Sequence, residues 1–356
     1  MTSKPTFMIL DCPTPQRNPT LDRLAELGCS LHVLYLSEGP KDSPRGWGHA
    51  VLKHNRTFWD SLNRLQRLRT IFAIILAQEY GTVVCFGYRG WPRVLAIFAS
   101  RLNGSKVVLR SDTNYLTISR QPYLKRLLKR AYLRMLIPRK ALAWSIGTQN
   151  ELFWRREVGL RNTSLIPYEV PVLPGGVDEI IRRQSDASQM HFLYVGRLEA
   201  YKCVDDAIEA FGRLNDPKYL QWRFTIVGDG PERTRLELLA KGDARFTFTG
   251  SIHYDKLGTV FAKADVLTLP SEQEAWGLVV NEALGFGLYV ITSDVVGSSC
   301  DLISESTGEV YPNKDVSKLS QAMASSVMHL NRVPRNSRTD TAMLMSKSLQ
   351  ELNHDS

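Results

Sequence analysis

The feature that most constrains the fold is an alternation of short apolar runs with longer amphipathic segments. In the N-terminal half the runs TFMIL, SLHVLYL, TVVCFG and KVVLRSD are typical of buried strands. The segments TLDRLAELG, 58–79 and WPRVLAIFASRLNG lie between them and are typical of helices. This order predicts an α/β fold with a doubly wound parallel sheet.

The same alternation starts again after a break near residues 167–190, where prolines, a Gly-Gly pair and a polar run interrupt it. We therefore predict two Rossmann-like doubly wound domains that face one another across a cleft. Thr339 or Asp340 would cap a last helix, which either packs back on the first domain or frays. The expected bounds are 1–168 for the N-terminal domain, 169–190 for the linker, 191–328 for the C-terminal domain and 329–356 for the tail.

Charge and cysteine content narrow the class of protein. The net charge of +9 favours an anionic partner, which could be a phosphate-bearing ligand, a nucleic acid or an anionic lipid, and it also fits a solvated basic surface. The five cysteines are scattered without a CxxC pair, and the first residues are typical of a strand rather than a signal peptide. These features favour a cytoplasmic, reduced protein without a zinc site. No apolar run is long enough to predict a membrane-spanning helix.

Charged and glycine residues follow two strands of the C-terminal half. Arg197 comes where HFLYVG ends, and Lys202 follows near the start of the next helix. Two cations beside helix amides can clamp a diphosphate, although a surface pair flanking a loop is the alternative. Gly228 and Gly230, in IVGDGP, let the backbone approach a ligand closely, but many strand-to-helix turns share this pattern.

The stretch SEQEAWGLVVNEALGFG, residues 271–287, carries Glu274 in a loop and Glu282 on the helix that follows Gly277. If it were helical throughout, the two carboxylates would lie about 12 Å apart along its axis, the span from a sugar ring to the ribose of a sugar nucleotide. Carboxylates accept paired vicinal hydroxyls, and a helix N-terminus between them favours a diphosphate. Two solvated glutamates are the alternative, which is weaker for Glu282 because it lies among apolar residues.

Together these motifs resemble the donor domain of family 4 glycosyltransferases, which are retaining enzymes of the GT-B fold. The resemblance covers residues 191 to about 310. Trp276 replaces the usual phenylalanine, Leu288-Tyr289 replaces a small residue and proline, and Cys203 stands where glycine is common. The matched residues are Arg197, Lys202, the run IVGDGP, Phe248, Gly250, Ala264, Asp265, Val266, Pro270, Ser271, Glu274, Gly277, Glu282, Ala283, Leu284, Gly287, Val290, Asp294 and Gly297.

The resemblance implies a role for each matched position. Arg197 and Lys202 would bind the donor diphosphate, Glu274 the donor sugar hydroxyls and Glu282 the ribose, with Ile252 near the nucleobase. In the front-face substitution usually described for this family, the two cations and the helix end would stabilise the leaving diphosphate. The sequence has no Asp-x-Asp pair, so a metal held in that way is not expected. No other cofactor is expected either. The remaining donor-site residues would be Gly196, Gly228, Ala275, Trp276, Gly277, Leu278 and Val279.

The N-terminal half resembles the family only in layout. Many members have a Gly-Gly loop after the first strand, where this chain has DCPTPQRNP, and many have a histidine where this chain has Arg110 and Asp112. Asp112 is a candidate acceptor-orienting or basic group and Arg110 a candidate acceptor or phosphate ligand. Alternatively, both cap the next helix or pair with each other.

Residues 121–140 form a basic amphipathic pattern. The simplest prediction is a surface helix with its apolar stripe in the domain core and its basic face outward. The alternative is a helix on an anionic membrane, and both can hold if the basic face binds lipid headgroups or a lipid diphosphate. The stripe comprises Leu124, Leu127, Leu128, Ala131 and Met135, and the basic residues are Lys125, Arg126, Lys129, Arg130 and Arg134.

The resemblance implies a retaining glycosyltransferase that moves sugar from a nucleotide-diphospho-sugar to a glycan or lipid-linked acceptor, in the synthesis of cell-surface polysaccharide. The expected location is the cytoplasm or the inner face of the membrane. A same-fold sugar-nucleotide epimerase, a donor-binding pseudo-enzyme and a nucleic-acid-binding protein are the alternatives. Nucleic acid is not an expected partner, because the basic stretch LKRLLKRAYLRML offers a single tyrosine for stacking on bases.

Overall fold

The computed structural model describes residues 5–14, 18–38, 54–67, 70, 80–168, 187–329 and 341–354. The chain divides into two compact units. Unit 1 comprises Met1–Glu169 with Thr339–Ser356, and unit 2 comprises Val170–Arg338. Residues 169–186 of the predicted linker and both predicted caps of the last helix lie outside the described residues.

Unit 1 is built on a parallel sheet whose described strands follow the order β3-β2-β1-β4-β5-β6-β7. Side chains of the central strand, β1, point alternately to the two faces of the sheet. Phe7 and Ile9 lie in one hydrophobic core, and Met8 and Leu10 lie in the other. Burial on both faces explains why its strands are continuous apolar runs. The strands are β1 (Thr6–Leu10), β2 (Leu31–Tyr35), β3 (Arg56–Phe58), β4 (Thr82–Phe86), β5 (Lys106–Arg110), β6 (Leu142–Ser145) and β7 (Thr163–Leu165).

The described helices of unit 1 pack on both faces of this sheet. A π-helical turn, Phe153–Val158, extends the fifth of them and buries Phe153 and Trp154. The helices are α1 (Asn18–Glu26), α2 (Trp91–Asn103), α3 (Tyr115–Ser119), α4 (Tyr123–Leu136) and α5 (Thr148–Leu152).

Unit 2 repeats the plan, with its described strands in the order β10-β9-β8-β11-β12-β13. Phe192, Phe211, Trp222 and Phe224 form an aromatic cluster in its core. The strands are β8 (His191–Val195), β9 (Arg223–Val227), β10 (Phe246–Gly250), β11 (Val266–Leu269), β12 (Tyr289–Ser293) and β13 (Gly308–Tyr311). The helices are α6 (Val204–Gly212), α7 (Arg233–Leu239), α8 (Tyr254–Phe261), α9 (Leu278–Gly285), α10 (Ser299–Leu302) and α11 (Val316–Ser325).

The last helix, α12 (Thr341–His354), belongs to unit 1 rather than to the unit that precedes it in the chain. Met345 and Leu349 are buried in the same core as β1. The indole nitrogen of Trp144, on β6, donates a hydrogen bond to the hydroxyl of Ser348 at 3.0 Å. The C-terminal segment therefore completes the first core.

Both strand orders reverse direction once, as in doubly wound folds, which confirms the predicted pair of Rossmann-like domains. The predicted start of one helix is wrong. The helix expected over 58–79 starts too early, because Arg56–Phe58 pairs in parallel with β2 as an edge strand. Its described helical residues are 64–67 and 70.

Helix α4 contradicts the predicted orientation of the basic segment. The side chains expected in the core, among them Leu124, Leu128 and Met135, are 63–70% exposed. The positions that are buried instead are Leu133 and Leu136. No described helix is long and apolar enough to cross a membrane. The apolar stripe of α4 therefore faces solvent in this unit.

The reason for this orientation is a buried carboxylate on the π-helical turn. Glu157 is 2% exposed, and the guanidinium groups of Arg126 and Arg130 bind it. Arg134 donates to the backbone carbonyl of Glu157 at 3.1 Å. Burial alone would raise the pKa of the Glu157 carboxyl, but the two arginines hold that pKa below its ordinary value. Residues four apart lie on one face of a helix, so one buried acid turns the arginine face of α4 inward.

Candidate functional site

The strand order of unit 2 reverses between β8 and β11, so the loops after these strands diverge to opposite sides of the sheet. Ligands of doubly wound sheets bind at such a switch point, outside the carboxyl ends of the strands. The loop after β8 ends in a short 3-10 turn, Ala200–Lys202. The loop after β11 leads through Glu274 to Gly277, at the start of α9.

An ion pair joins these two loops. The Lys202 ammonium contacts the Glu274 carboxylate, and the two side chains are only 15% and 17% exposed. A backbone bond from Glu272 to the carbonyl of Tyr201, 3.0 Å long, ties the same loops together. The sequence assigned Lys202 and Glu274 to different parts of a ligand, and the structure brings them into direct contact at the switch point.

The backbone around Glu274 is fixed by the loop after β12. Residue 274 forms an isolated parallel bridge with Val296, and its carbonyl accepts from Gly297 at 3.2 Å. The indole of Trp276 is buried and donates to the side chain of Asn281 at 2.8 Å. Glu274 therefore sits on a loop with little freedom, and Trp276 anchors that loop through its side chain.

Gly277 turns the loop into helix α9. Its φ of 90° lies in the left-handed region, where a side chain would also crowd Leu269 and Val296 at 3.1 and 3.2 Å. No side chain caps the helix at this residue, so the first amides, those of Leu278 and Val279, are not engaged by a cap. Because the helix begins only at Leu278, the 12 Å spacing derived from an all-helical stretch does not apply.

Glu282 lies one turn into α9 and is 7% exposed. Burial raises the pKa of the neighbouring Tyr254 phenol, and the negative charge of Glu282 raises it further. Tyr254 is the first residue of α8 and is buried in the core of unit 2, to which α9 also contributes. Ile252, two residues earlier, packs partly buried against the core of unit 2.

Arg197 is not part of the Lys202–Glu274 pair. Its side chain is 65% exposed and pairs with Glu199 at 2.7 Å, an arrangement typical of a surface ion pair. The loops that contain Gly196 and Gly228 pack closely against each other, because a Cβ added at Gly228 would collide with the carbonyl oxygen of Gly196. Glycine therefore permits a close approach between these two turns, and the predicted approach of a ligand to the glycine backbone stays a prediction.

The two candidates of the N-terminal half have different surroundings. Asp112 is exposed after β5. Arg110 is 4% exposed and donates to the carbonyls of Ile166 and Pro167, so the predicted ligand arginine is committed to the backbone after β7. The predicted capping by this pair is also wrong, because Asn114 caps α3 instead.

Sequence reasoning missed Lys314, which follows β13. Its ammonium donates to the thiol sulfur of Cys203 at 3.0 Å and lies 3.3 Å from the Glu272 carboxylate. Burial raises the pKa of the Cys203 thiol, although the lysine opposes that shift. Cys203 has a φ of 51°, which explains why glycine is common at its position in the family. Recognising β13 would have revealed Lys314 as a further cation at a strand end.

No group of three or more His, Cys, Asp or Glu side chains suited to a metal ion occurs in the described part of the chain. The absence of a metal or other cofactor from the reaction stays a prediction.

Comparison with known proteins supports the glycosyltransferase resemblance of the C-terminal half. Residues 178–337 match the sequence model of the family described as "Glycosyl transferases group 1". The chain is 33% identical to a glycogen synthase of Mycobacterium tuberculosis over 164 residues. That alignment covers 44% of this chain and 39% of the relative, so the chain matches well under half the length of this enzyme.

Solved structures resemble the whole chain. A sucrose-phosphate synthase from Thermosynechococcus elongatus superposes with a TM-score of 0.69 and 20% identity, covering 99% of this chain and all of that one. HepE from Anabaena, solved in complex with UDP-glucose, has a TM-score of 0.65 and 14% identity, covering 98% and 97%. These likenesses concern the GT-B fold. The resemblance deduced from the motifs is confirmed, because residues 178–337 match the glycosyl transferases group 1 model.

Proposed function

We propose that the protein is a retaining glycosyltransferase that takes sugar from a nucleotide-diphospho-sugar and adds it to a glycan or lipid-linked acceptor, in cell-surface polysaccharide synthesis. The observation that carries the proposal is the largely buried Lys202–Glu274 pair at the switch point of unit 2, beside the start of α9. The family match of residues 178–337 supports it. The predicted cleft between the units stays a prediction.

Each group of this site has a task in the proposed reaction. Lys202 and the first amides of α9 carry positive charge toward a leaving diphosphate, which gains negative charge in the transition state. Arg197 is long and exposed, and it adds a second cation from the loop after β8. Glu274 accepts hydroxyls of the donor sugar and Glu282 those of the ribose, because carboxylates accept paired hydroxyls.

The remaining roles follow from the same scheme. The backbone at Gly196, Gly228 and Ala275–Val279 contacts phosphate and sugar, and Ile252 contacts the base. Asp112 orients the acceptor. The charge that a metal supplies in other transferases comes here from Lys202, Arg197 and the helix end, consistent with the lack of an Asp-x-Asp pair. UDP is the first nucleotide to test, because the HepE structure that shares this fold contains UDP-glucose.

The test is a panel of nucleotide sugars followed by proton NMR. A transferase releases nucleoside diphosphate and sugar or glycoside, whereas an epimerase changes the sugar signals and leaves the nucleotide attached. A nucleic-acid-binding protein leaves the panel untouched and binds oligonucleotide with a steep dependence on salt. A pseudo-enzyme binds a nucleotide sugar and leaves it intact.

We also propose that helix α4 lies on an anionic membrane, with its apolar side chains in the lipid interface. Tyr123, Leu124, Leu128 and Met135 are 63–79% exposed along this helix. Exposed cations, including Lys125, Arg139 and Lys140, occur on and beside it. Apolar side chains flanked by cations are the pattern of interfacial helices.

Replacing both Leu124 and Leu128 with glutamate is expected to lower binding to anionic vesicles at least about tenfold, because each leucine loses apolar burial and each glutamate is repelled by the lipid. Sedimentation with phosphatidylcholine vesicles containing about a third phosphatidylglycerol measures this effect. The matched control is Leu238→Glu with Leu239→Glu, two exposed leucines of α7. An equal loss of vesicle binding in both double variants would mean that the added negative charge, and not the apolar face of α4, controls binding.

A further inference from the structure

The sheet of unit 1 has its own switch point, between β1 and β4. Asp11 is the first residue after β1, and Arg93 lies in the first turn of α2, which follows the loop after β4. The two are 82 residues apart in the chain. The topology alone brings them together, at the edge of the sheet where ligands of such folds bind.

The pair combines a buried cation with an exposed acid. An Nη atom of Arg93 lies 2.6 Å from a carboxylate oxygen of Asp11. The arginine side chain is 6% exposed, and the aspartate side chain is 68% exposed. Arg93 also donates to the carbonyl of Arg89 at 3.1 Å, and its buried Nε has no hydrogen-bond partner in the described part of the structure. A guanidinium fixed inside the unit therefore holds a solvent-facing carboxylate in one orientation.

The same arrangement occurs in unit 2 with the charges exchanged. In unit 2 the cation, Lys202, follows β8, and the acid, Glu274, follows β11. In unit 1 the acid, Asp11, follows β1, and the cation, Arg93, follows β4. In both units one ion pair connects the loops on either side of the switch point. The pair in unit 2 is largely buried, but Asp11 stays accessible to a ligand.

We propose that Asp11 binds hydroxyl groups of a sugar acceptor and that Arg93 is the residue that positions it. A carboxylate held through one oxygen still accepts hydrogen bonds from a polyol. It repels a phosphate or carboxylate, so the chemistry of the site favours an uncharged sugar hydroxyl over an anionic group. This inference rests on the proposed transferase activity and names a residue that binds the acceptor in addition to Asp112.

The experiment measures transfer from the active nucleotide sugar to p-nitrophenyl glycosides of glucose, galactose, mannose and N-acetylglucosamine. Asp11→Asn is expected to raise the acceptor KM at least about tenfold, because a charged acceptor of hydrogen bonds is lost. In Asp11→Asn the donor KM and the rate at which the donor is hydrolysed without a sugar acceptor stay at wild-type levels. Arg93→Lys keeps one cationic donor and is expected to lie between wild type and Arg93→Met in acceptor KM.

The matched control is Asp60→Asn, which removes an exposed carboxylate of unit 1 after β3. An acceptor KM within about twofold of wild type in Asp11→Asn overturns the inference and leaves the donor site standing. Hydrolysis of the donor by wild type without transfer to any glycoside also overturns it. If wild type neither binds nor consumes any nucleotide sugar, the proposed function fails and this inference fails with it.

Discussion

Lys202→Met lowers turnover of the nucleotide sugar at least about a hundredfold in the proposed mechanism, because it removes a fixed cation from the leaving diphosphate. It also removes the ammonium that contacts the Glu274 carboxylate, whose side chain is only 17% exposed. Losing one partner of a largely buried ion pair costs about 1–3 kcal/mol here, less than for a fully buried pair. Release of nucleoside diphosphate measures the first effect, and urea unfolding measures the second.

The double variant Lys202→Met, Glu274→Met separates function from stability. Two apolar side chains replace both members of the ion pair, so the free energy of unfolding returns toward the wild-type value. Turnover stays low, because neither the cation nor the hydroxyl acceptor is restored. Wild-type turnover in the double variant would show that the pair is structural and that the donor binds elsewhere.

Gly228→Ala is expected to destabilise unit 2 by at least about 3 kcal/mol, because the added Cβ meets a backbone oxygen that cannot swing away. Gly228 has a φ of 141°, and its neighbour in that collision is the carbonyl of Gly196. The loops after β8 and β9 would have to separate, which also moves the turn that carries Lys202. Denaturant unfolding measures the loss, with nucleotide binding as a second readout.

Gly212→Ala is the matched control within the same unit. Gly212 is the last residue of α6, and a Cβ added there meets no atom within 4 Å. Alanine favours the helix over glycine by about 0.5–1 kcal/mol, so this variant should be slightly more stable than wild type. If Gly228→Ala unfolded at the wild-type denaturant concentration, the tight contact of the two turns would be refuted.

The architecture was predictable because parallel strands buried on both faces leave uninterrupted apolar runs. TFMIL and TVVCF could be recognised for this reason, and both are buried throughout. The site was partly predictable, because strand ends are visible in the sequence and residues after them gather at one edge of the sheet. The positions of Lys202, Glu274 and Gly277 follow from that rule.

The failures share a cause, which is contact between residues distant in sequence. The periodicity of α4 revealed an apolar stripe and an arginine stripe, but the choice of the inward face depends on Glu157, 31 residues after Arg126. In the same way, the sequence predicted that Arg110 binds a ligand, but its guanidinium donates to the backbone after β7. The pairing of Lys202 with Glu274 spans 72 residues and leaves no local pattern.

The proposed function requires that the switch point of unit 2 binds and activates a nucleotide-diphospho-sugar. Proton NMR of the wild-type protein with UDP-glucose, UDP-galactose, GDP-mannose and ADP-glucose tests it most directly. We expect that one of these donors is consumed, that nucleoside diphosphate is released, and that the first-formed product keeps the anomeric configuration of the donor. Four unchanged donors that also fail to bind would contradict it, as would turnover that persists at the wild-type rate in Lys202→Met.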